Sequence, residues 1–518
     1  MRPQITSELR QTLLSQLPSF LAAQRWFGGK ARQIAGVDLI DTIPISGTEP
    51  KSIVLSVAVK YGEGKGEIYS IPIITVAHGG LLEDAFSRPE FLAELLDVIK
   101  QERELAGDAG RLRGYRAASF AELLGPSEAL KPKLVSGEQS NSSVIYGERF
   151  ILKFFRRIEE GENPDLEIGR FLSEKPGFAH IARIGGWLEY QLGEGQAATQ
   201  AILQEFVPNQ GDAWRYALRT LIAFYEKVGG TTEPEVSTSQ EPAEFADESI
   251  AKLLAEIALL GKRTAELHLA LTSDSNNPAF APEPFTDEFQ KKLEMSFADL
   301  SSGTLRLLRE RIATVPVEPR ELAAEIASRE QDIARIFRAA LSAPIEAVRA
   351  RIHGDYHLGQ VLYTESDFVI IDFEGEPARP LAERRVKQSP LQDVAGMLRS
   401  FQYAAFAPLL ARPTGSSISR DQFTKLRNWA EAWSLSAANR FLAQYYETSA
   451  DAHYLPACSQ QRTKLLDAYV LAKAIYELGY ELNNRPTWVG IPLEGISRLL
   501  PRRKPALALN IIVPIKCQ

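Results

Sequence analysis

The spacing of apolar and polar positions changes several times along the chain. Residues 9–25 follow the spacing of an amphipathic helix, whereas residues 37–78 contain three apolar runs typical of β-strands. A helical run, E-F-L-A-E-L-L-D-V-I-K, comes next, and a second β-rich segment covers residues 120–210. From about residue 211 helical periodicity prevails. The pattern predicts an α+β protein whose β-rich segments precede a mainly helical part.

A short β pattern interrupts the helical part. The runs V-L-Y (361–363) and D-F-V-I-I-D (367–372) are apolar and are separated only by T-E-S. Two short apolar runs joined in this way predict a β-hairpin. The polar segment R-I-H-G-D-Y-H-L-G-Q leads into the first run, and F-E-G-E-P ends the second region. Polar side chains should therefore gather at the open end of the hairpin.

The spacing of three of these polar residues is typical of phosphotransferases. Asp355 lies five positions before Gln360 and seventeen before Asp372. In the protein-kinase-like pattern, the first Asp accepts the proton of the substrate hydroxyl, while an amide and a second Asp bind Mg²⁺. Carboxylate and amide oxygens are the hard ligands that this ion prefers. We therefore predict Asp355 as the catalytic base, and Gln360 and Asp372 as ligands of Mg²⁺ that accompanies ATP.

Two other interpretations of this segment remain open. His353, Asp355 and His357 alternate as H-x-D-x-H, which could bind the metal of a hydrolase. The acidic run after Asp372 could also be an ordinary strand-end turn with solvated carboxylates. The chain has only six histidines, and none follows Asp372 closely enough to complete a two-metal site. The kinase interpretation is therefore favoured, with His353 as a structural residue that braces the loop.

The β-rich segment before the hairpin contains candidates for nucleotide binding. A polar loop predicted at Gly137 to Ser143 is followed by a strand that ends near Lys153, which we expect to bind the α- and β-phosphates. Glu167, on a predicted helix, is the candidate ion-pair partner of Lys153. Each of these charges could also be an ordinary surface residue. Hydroxyl and backbone N–H groups of the loop would contact the phosphates, and the candidates are Ser140, Asn141, Ser142 and Ser143.

A buried strand that runs into a turn at residues 201–214 predicts the connection between two lobes. The backbone of such a connection is where kinases bind adenine, and the candidates are Gln204, Glu205, Phe206 and Val207. The sequence contains no G-x-x-x-x-G-K-[ST] phosphate loop. The glycine-rich run G-E-G-K-G at residues 62–66 lies between two strand-like runs and predicts a hairpin turn.

Four motifs of this chain resemble those of the bacterial maltokinases. They are H-G-D-Y-H-L-G-Q-V-L, I-D-F-E-G-E-P, Q-R-W-F-G-G-K-A-R and, near the C-terminus, R-P-T-W-V-G-I-P-L. The resemblance extends over nearly the whole chain. It implies a bilobal protein-kinase-like fold with a β-rich N-terminal cap domain. The expected domains are the cap at residues 1–118, a small kinase lobe at 119–210, and a mainly helical large lobe with the sugar site at 211–518.

The same resemblance implies an activity. Maltokinases phosphorylate maltose at its anomeric hydroxyl with ATP, which gives maltose 1-phosphate for α-glucan synthesis, often beside or fused to a trehalose synthase. Some related cap-bearing kinases phosphorylate glucosamine, so an amino sugar or an aminoglycoside is the alternative acceptor. A third hypothesis is a catalytically silent partner of a glucan enzyme. The presence of Lys153, Asp355, Gln360 and Asp372 argues against silence.

Sugar binding needs carboxylates and aromatic rings, and a predicted helix near residue 480 carries both. Tyr476 and Tyr480 are four positions apart, as are Glu477 and Glu481, so each pair shares one side of the helix. A half-exposed helix without a ligand, or a surface cluster of basic residues, would show the same pattern. The candidates for substrate contact are His357, Arg384, Lys387, Tyr476, Glu477, Tyr480, Glu481 and Trp488.

Two further residues of the helical part are expected to support the structure. Asp393 opens a predicted helix, where its carboxylate can cap N–H groups or brace the catalytic loop. His268 lies on an apolar helical face and should be a buried histidine with satisfied ring nitrogens.

Composition narrows the class of protein. The chain has 518 residues, of which 45% are hydrophobic, and a net charge of −7 without a basic run, which argues against nucleic acid as a partner. Two cysteines allow neither a disulfide framework nor a structural zinc site. We find no signal-like apolar segment near the start and no apolar run of eighteen residues. We therefore expect a cytoplasmic enzyme.

Overall fold

A computed structural model describes residues 5–45, 52–74, 82–126, 130–135, 140–229, 245–410 and 419–501. Its helices are α1 (Ser7–Ala23), α2 (Pro89–Lys100), α3 (Phe120–Leu124), α4 (Pro164–Ser173), α5 (Ala213–Val228), α6 (Glu248–Leu271), α7 (Asp287–Arg311), α8 (Arg320–Ala327), α9 (Glu330–Leu341), α10 (Leu381–Arg384), α11 (Leu391–Leu410), α12 (Arg420–Thr448), α13 (Ser459–Asn484) and α14 (Gly490–Leu499). Its strands are β1 (Ile34–Pro44), β2 (Ser52–Tyr61), β3 (Glu67–Ile74), β4 (Glu83–Asp84), β5 (Glu104–Ala106), β6 (Gly110–Arg116), β7 (Pro132–Leu134), β8 (Asn141–Tyr146), β9 (Phe150–Phe155), β10 (Arg157–Ile158), β11 (Ile184–Leu192), β12 (Ala197–Glu205), β13 (Glu283–Pro284), β14 (Val348–Arg349), β15 (Val361–Tyr363) and β16 (Phe368–Ile370).

The chain divides into two compact units. Unit 1 comprises Met1–Pro208 and Pro377–Arg384, and unit 2 comprises Asn209–Glu376 and Arg385–Gln518. Strands dominate unit 1 and helices dominate unit 2, as the change of periodicity near residue 211 predicted. The protein is therefore an α+β protein whose β-rich part lies on the N-terminal side.

Two antiparallel sheets form the framework of unit 1. Within the described residues, the first sheet has the order β1-β2-β3-β10, with β4 also paired to β3, and the second has the order β5-β6-β11-β12-β9-β8-β7. The glycine-rich run at residues 62–66 connects β2 to β3, which confirms the predicted hairpin turn. Alternating apolar residues on these strands bury one or both faces of each sheet.

The helices of unit 1 bury their apolar stripes against these sheets. Leu13, Leu17 and Leu21 of α1 are spaced four residues apart and pack into the same core as Val57 and Tyr69 of the first sheet. This spacing is the amphipathic signal that the sequence showed.

A second core joins helix α2 to strands of both sheets. Phe91 and Leu95 of α2 share this core with Val54 of the first sheet and with Phe150 and Leu152 of the second. The expected boundary between cap and small lobe, at residue 118, stays a prediction. The structure adds that β5 and β6, which precede this boundary, pair within the second sheet.

Unit 2 is built around α11, whose side chains are buried on nearly all sides. Helices α5, α12, α13 and α14 pack around it, and α6 lies against α12. The hairpin of β15 and β16 contacts α5. Asp393 lies in the first turn of α11 and carries a buried carboxylate into the centre of this unit.

No helix in the described ranges is both long and apolar enough to cross a membrane.

Candidate active site

The predicted catalytic hairpin is present. Val361 pairs with Ile370, and Tyr363 pairs with Phe368, in an antiparallel register. At the open end, the amide Nε2 of Gln360 donates a hydrogen bond to Oδ2 of Asp372 over 2.8 Å. The spacing of Gln360 and Asp372 in the sequence thus translates into direct contact between their side chains.

The opposite end of the hairpin is anchored by aromatic and acidic residues. The phenol of Tyr363 donates to Oε1 of Glu256 over 2.6 Å, and the ring of Tyr216 stacks on Tyr363 with centroids 4.1 Å apart. The phenol of Tyr216 donates to the other oxygen of Glu256 over 2.6 Å. These contacts fix the hairpin to α5 and α6, so its open end has a rigid support.

Asp372 has a backbone conformation that is costly for a residue with a side chain. Its φ angle is +67°, in the left-handed region that favours glycine. Strain of this kind costs on the order of 1–3 kcal/mol and is concentrated at functional sites. Asp372 lies two residues after strand β16, at the start of the acidic turn.

A second carboxylate lies beside Asp372. One oxygen of Glu374 is within 4.8 Å of an oxygen of Asp372. Sequence reasoning missed Glu374, although its position two residues after Asp372 was visible. Together with Gln360, these residues form a set of hard oxygen donors, which fits Mg²⁺ rather than a thiolate-binding or imidazole-binding metal.

Asp355 lies on a loop that touches the acidic turn. Gly354 and Gly375 both have positive φ angles, 85° and 72°, and a Cβ on Gly354 would lie 3.2 Å from the Cα of Gly375. Side chains at these two positions would force the loops apart. Glycine at both positions therefore allows the loop that carries Asp355 to approach the turn after Asp372.

Asp393 supports the loop that carries Asp355 through hydrogen bonds to its backbone. Its Oδ2 accepts the backbone N–H of His353 over 2.7 Å, and its Oδ1 accepts that of Gly354 over 2.9 Å. Nε2 of His268 lies 3.2 Å from Oδ2, and Nδ1 of His268 is 2.9 Å from the phenol of Tyr445. These contacts confirm that Asp393 binds N–H groups of the loop and that both ring nitrogens of the buried His268 have partners.

The two histidines next to Asp355 differ in role. His353 is buried, and its Nε2 lies 2.9 Å from the carbonyl of Ile371, so it ties the loop to the hairpin. His357 accepts the N–H of Gly359 at Nδ1, and its Nε2 is 3.9 Å from Asp355. Burial lowers the pKa of the His357 imidazole from its usual value. With His353 bound to the backbone, the residues do not form the metal cluster of a hydrolase.

A lysine that the sequence analysis did not select lies next to Asp355. Nζ of Lys473, on α13, is 3.6 Å from Oδ1 of Asp355 and 5.1 Å from the ring centroid of Tyr476. The sequence did contain a hint of this residue, because Lys473 precedes the predicted sugar-binding residue Tyr476 by one helical turn. Only the fold could show that α13 meets the loop that carries Asp355.

The two glutamates proposed for sugar binding on α13 are engaged in ion pairs. Glu477 lies 2.6 Å from Arg399, whose side chain is 2% exposed. Glu481 is 1% exposed and accepts hydrogen bonds from Arg485 and from Tyr403. Burial raises the pKa of the Glu481 carboxyl, although Arg485 acts in the opposite direction. Both carboxylates are neutralised within unit 2, which counts against direct binding of sugar.

The aromatic candidates are more accessible. Tyr480 is 48% exposed, and Trp488 is partly exposed and stacks on Tyr403 with centroids 6.2 Å apart. The phenol of Tyr476 donates to Oε1 of Glu376 over 3.0 Å. Glu376 was not among the predicted residues, although it ends the acidic motif of the hairpin.

In unit 1, Lys153 lies on β9 and faces helix α4. Its Nζ is 3.4 Å from Oδ2 of Asp165, which is 1% exposed at the start of α4. Sequence reasoning chose Glu167 of this helix, which is also buried, and its pairing with Lys153 stays a prediction. Asp165, two positions earlier, was not selected, and only the orientation of the helix shows that it contacts the lysine.

The predicted phosphate loop requires a correction. Asn141, Ser142 and Ser143 belong to strand β8, where Ser143 pairs with Lys153. Ser142 and Ser143 are buried, and the hydroxyl of Ser142 accepts a hydrogen bond from Arg156 over 2.9 Å. Pairing with β9 extends this strand further towards the N-terminus than its polar residues suggested. Ser140 is exposed before the strand, and residues 136–139 lie outside the described part.

The predicted hinge residues Gln204 and Glu205 end strand β12, and Phe206 and Val207 continue as irregular chain up to the end of the first part of unit 1. The N–H of Glu205 donates to the carbonyl of Arg183, and the N–H of Phe206 donates to that of Arg149. The backbone N–H groups of Glu205 and Phe206 are therefore hydrogen-bonded within unit 1.

Two basic candidates are buried in ion pairs. Arg384, 3% exposed, pairs with Glu159 in unit 1. Lys387 donates to Glu283 over 2.9 Å and to the carbonyl of Pro278 over 2.8 Å in unit 2. Both charges are neutralised inside the protein, and the contact of these cations with substrate stays a prediction.

Comparisons with known proteins agree with this geometry. The family described as the maltokinase N-terminal cap domain matches residues 20–95. A glucosamine kinase of Streptacidiphilus jiangxiensis is 27% identical over 442 residues, which cover 84% of this chain and 86% of that protein. A glucosamine kinase of Mycolicibacterium smegmatis is 27% identical over 274 residues, covering 52% of this chain and 58% of that one.

Solved structures show a similar fold. A glucosamine kinase in complex with glucosamine, ADP and inorganic phosphate has a TM-score of 0.63 and 20% identity, and covers 97% of this chain and 100% of that one. A second crystal form of glucosamine kinase also has a TM-score of 0.63, at 21% identity, and covers 93% and 99% of the two chains. The fold thus resembles that of glucosamine kinase, and residues 20–95 match the family of the maltokinase N-terminal cap domain.

Proposed function

We propose that this protein is a kinase that transfers the γ-phosphoryl group of ATP to a hydroxyl of a sugar or amino sugar. The observation that carries the proposal is the arrangement of Asp355, Gln360 and Asp372 on two loops that Asp393 and the hairpin hold in place. This arrangement supplies a base and a set of oxygen ligands, which are the groups that phosphoryl transfer requires.

Each of these groups has one role in the proposed reaction. Asp355 orients the acceptor hydroxyl and takes its proton as the oxygen attacks the γ-phosphorus. Gln360 would turn its amide oxygen toward the metal and, with Asp372 and Glu374, would hold Mg²⁺. When bound, that ion neutralises charge on the phosphate oxygens. Lys153, held by Asp165, binds the α- and β-phosphates of the nucleotide.

Glucosamine is the acceptor that we favour. Two relatives with 27% identity are glucosamine kinases, and one of them aligns with 84% of this chain. Maltose is the second candidate, because the cap at residues 20–95 matches the maltokinase cap family. Association with a trehalose synthase rests on the sequence resemblance alone.

A phosphoryl-transfer screen tests the proposal. Purified protein is incubated with ATP, with Mg²⁺ or with chelator, and with glucosamine, maltose, glucose or an aminoglycoside. We expect Mg²⁺-dependent ADP release that is fastest with glucosamine. Faster turnover of maltose would support the second candidate, and turnover of none of these acceptors by wild-type protein would contradict the proposed function.

A further inference from the structure

The carboxylates around helix α13 differ in how their charge is neutralised. Glu477 pairs with Arg399, Glu481 pairs with Arg485, and Asp355 lies 3.6 Å from Lys473. Glu376 differs from these three carboxylates. In the described part of the chain, its carboxylate has the phenol of Tyr476 as a hydrogen-bond partner and no Lys, Arg or His within ion-pair distance.

The position of Glu376 suits a ligand rather than a core contact. Its side chain is partly exposed, and the phenol of Tyr476 binds Oε1 only. Within the described residues, Oε2 therefore has no protein partner. A half-buried carboxylate without a counter-charge is stabilised by a bound cation, because hydrogen bonds between charged groups are stronger than neutral ones.

Contacts along α13 connect this carboxylate to the proposed base. Tyr476 binds Glu376, and the ammonium group of Lys473 lies 5.1 Å from the ring centroid of Tyr476. The same ammonium group contacts Asp355. Glu376, Tyr476, Lys473 and Asp355 thus form a continuous set of side chains within unit 2, and we call this set the acceptor row.

The two carboxylates of the acceptor row would select different groups of a ligand. A cation already lies beside Asp355, so a second positive charge would be repelled there, whereas a neutral hydroxyl would not. Glu376 offers the opposite environment, a negative charge without a cation. An amino sugar would therefore place its hydroxyl at Asp355 and its protonated amino group toward Glu376.

We infer that Glu376, oriented by Tyr476, is the residue that selects a protonated amino sugar over its neutral analogue. This inference rests on the proposed kinase function and specifies the acceptor that the same site takes. Glu376 acts on binding of the acceptor, whereas Asp355 acts on its hydroxyl.

Glu376→Gln tests the inference, because it removes the charge and keeps both the shape and an oxygen that can accept from Tyr476. We expect the KM for glucosamine to rise about ten- to a hundredfold, the range for a lost hydrogen bond to a charged group. The KM for ATP and the KM for glucose, which has a hydroxyl in place of the amino group, should stay within about twofold. Calorimetric titration of each sugar measures the same preference without turnover.

Two further variants separate selection from general damage. Tyr476→Phe removes the phenol that orients Glu376 and should raise the KM for glucosamine by about threefold to tenfold. Glu288→Gln removes one negative charge from an exposed pair with Lys292 on α7 and should change neither sugar. Thermal unfolding of all variants shows whether the fold is retained.

The outcomes distinguish this inference from the proposed function. Equal changes for glucosamine and glucose in Glu376→Gln, or a wild-type protein that binds maltose and not glucosamine, would overturn the inference and leave a sugar kinase. If wild-type protein transfers no phosphate but loses glucosamine binding specifically in Glu376→Gln, the inference is supported and the proposed function fails.

Discussion

Acidic side chains occur both beside the hairpin of β15 and β16 and on helix α13, but these carboxylates have different surroundings. Asp372 interacts with a neutral amide, that of Gln360, at the open end of the hairpin. On α13, Glu477 and Glu481 are neutralised by Arg399 and Arg485. We therefore expect the acids of the two regions to have different roles.

The surroundings of a carboxylate help to distinguish a residue that binds a ligand from one that stabilises the fold. Strained backbone conformations are concentrated at functional sites, and Asp372 has a left-handed one. Carboxylates in ion pairs with buried arginines stabilise the fold, so their loss should affect stability first.

The largest expected effect is on turnover. Asp355→Asn removes the proposed base and should lower kcat by about 10²–10⁴-fold, while the affinity for ATP changes little. Rapid-quench measurement of sugar phosphate gives kcat, and fluorescence titration gives the affinity for nucleotide. Wild-type turnover in this variant would exclude Asp355 as the base.

The next effect concerns the metal. Asp372→Ala removes a charged ligand from the set of Gln360, Asp372 and Glu374, and should weaken Mg²⁺-dependent binding of ATP by at least about a hundredfold. Calorimetry with Mg²⁺ and with chelator measures the change. Loss of turnover with unchanged Mg²⁺-ATP affinity would assign Asp372 to the acceptor instead.

A contrasting result is expected on α13. Glu477→Gln leaves the charge of Arg399 buried without a counter-charge and should lower the free energy of unfolding by about 3 kcal/mol. The KM for the acceptor should stay nearly constant. Chemical denaturation and steady-state kinetics of the same preparation measure both. A raised KM for sugar at unchanged stability would return Glu477 to the role that the sequence predicted.

The smallest effect tests the support that Asp393 gives to the loop that carries Asp355. Asp393→Asn replaces an acceptor of two backbone N–H groups, those of His353 and Gly354, and should lower the free energy of unfolding by about 1.5–3 kcal/mol. We also expect kcat to fall about tenfold because the loop that carries Asp355 loses its support. If kcat is unchanged while stability falls, Asp393 supports the core and not the loop.

Features that depend on local spacing were predicted well. The hairpin of β15 and β16, the helix that carries Glu167, and the turn at residues 62–66 all follow from apolar periodicity and turn residues. The contact between Gln360 and Asp372 follows from the hairpin, because residues that flank paired strands lie opposite each other. Short-range geometry therefore determined the core of the candidate site.

Features that depend on orientation were predicted less well. Within α4, the sequence did not identify Asp165 as a partner of Lys153, since that contact depends on how the helix is rotated against β9. Ser142 and Ser143 were expected in a loop because they are polar, yet both are buried in a strand, where Ser142 binds Arg156. Their polar side chains indicated a loop, but their backbone pairs with β9 and forms a strand.

The sequence by itself determined the order of strands and helices, the hairpin, and the residue types at positions 355, 360 and 372. Only the tertiary structure decided which charges are neutralised. Arg399 and Glu477 are 78 positions apart, and Arg384 and Glu159 are 225 apart, so no local pattern links them. Ion pairing depends on distances of a few ångströms between remote segments, and those distances exist only after the chain has folded.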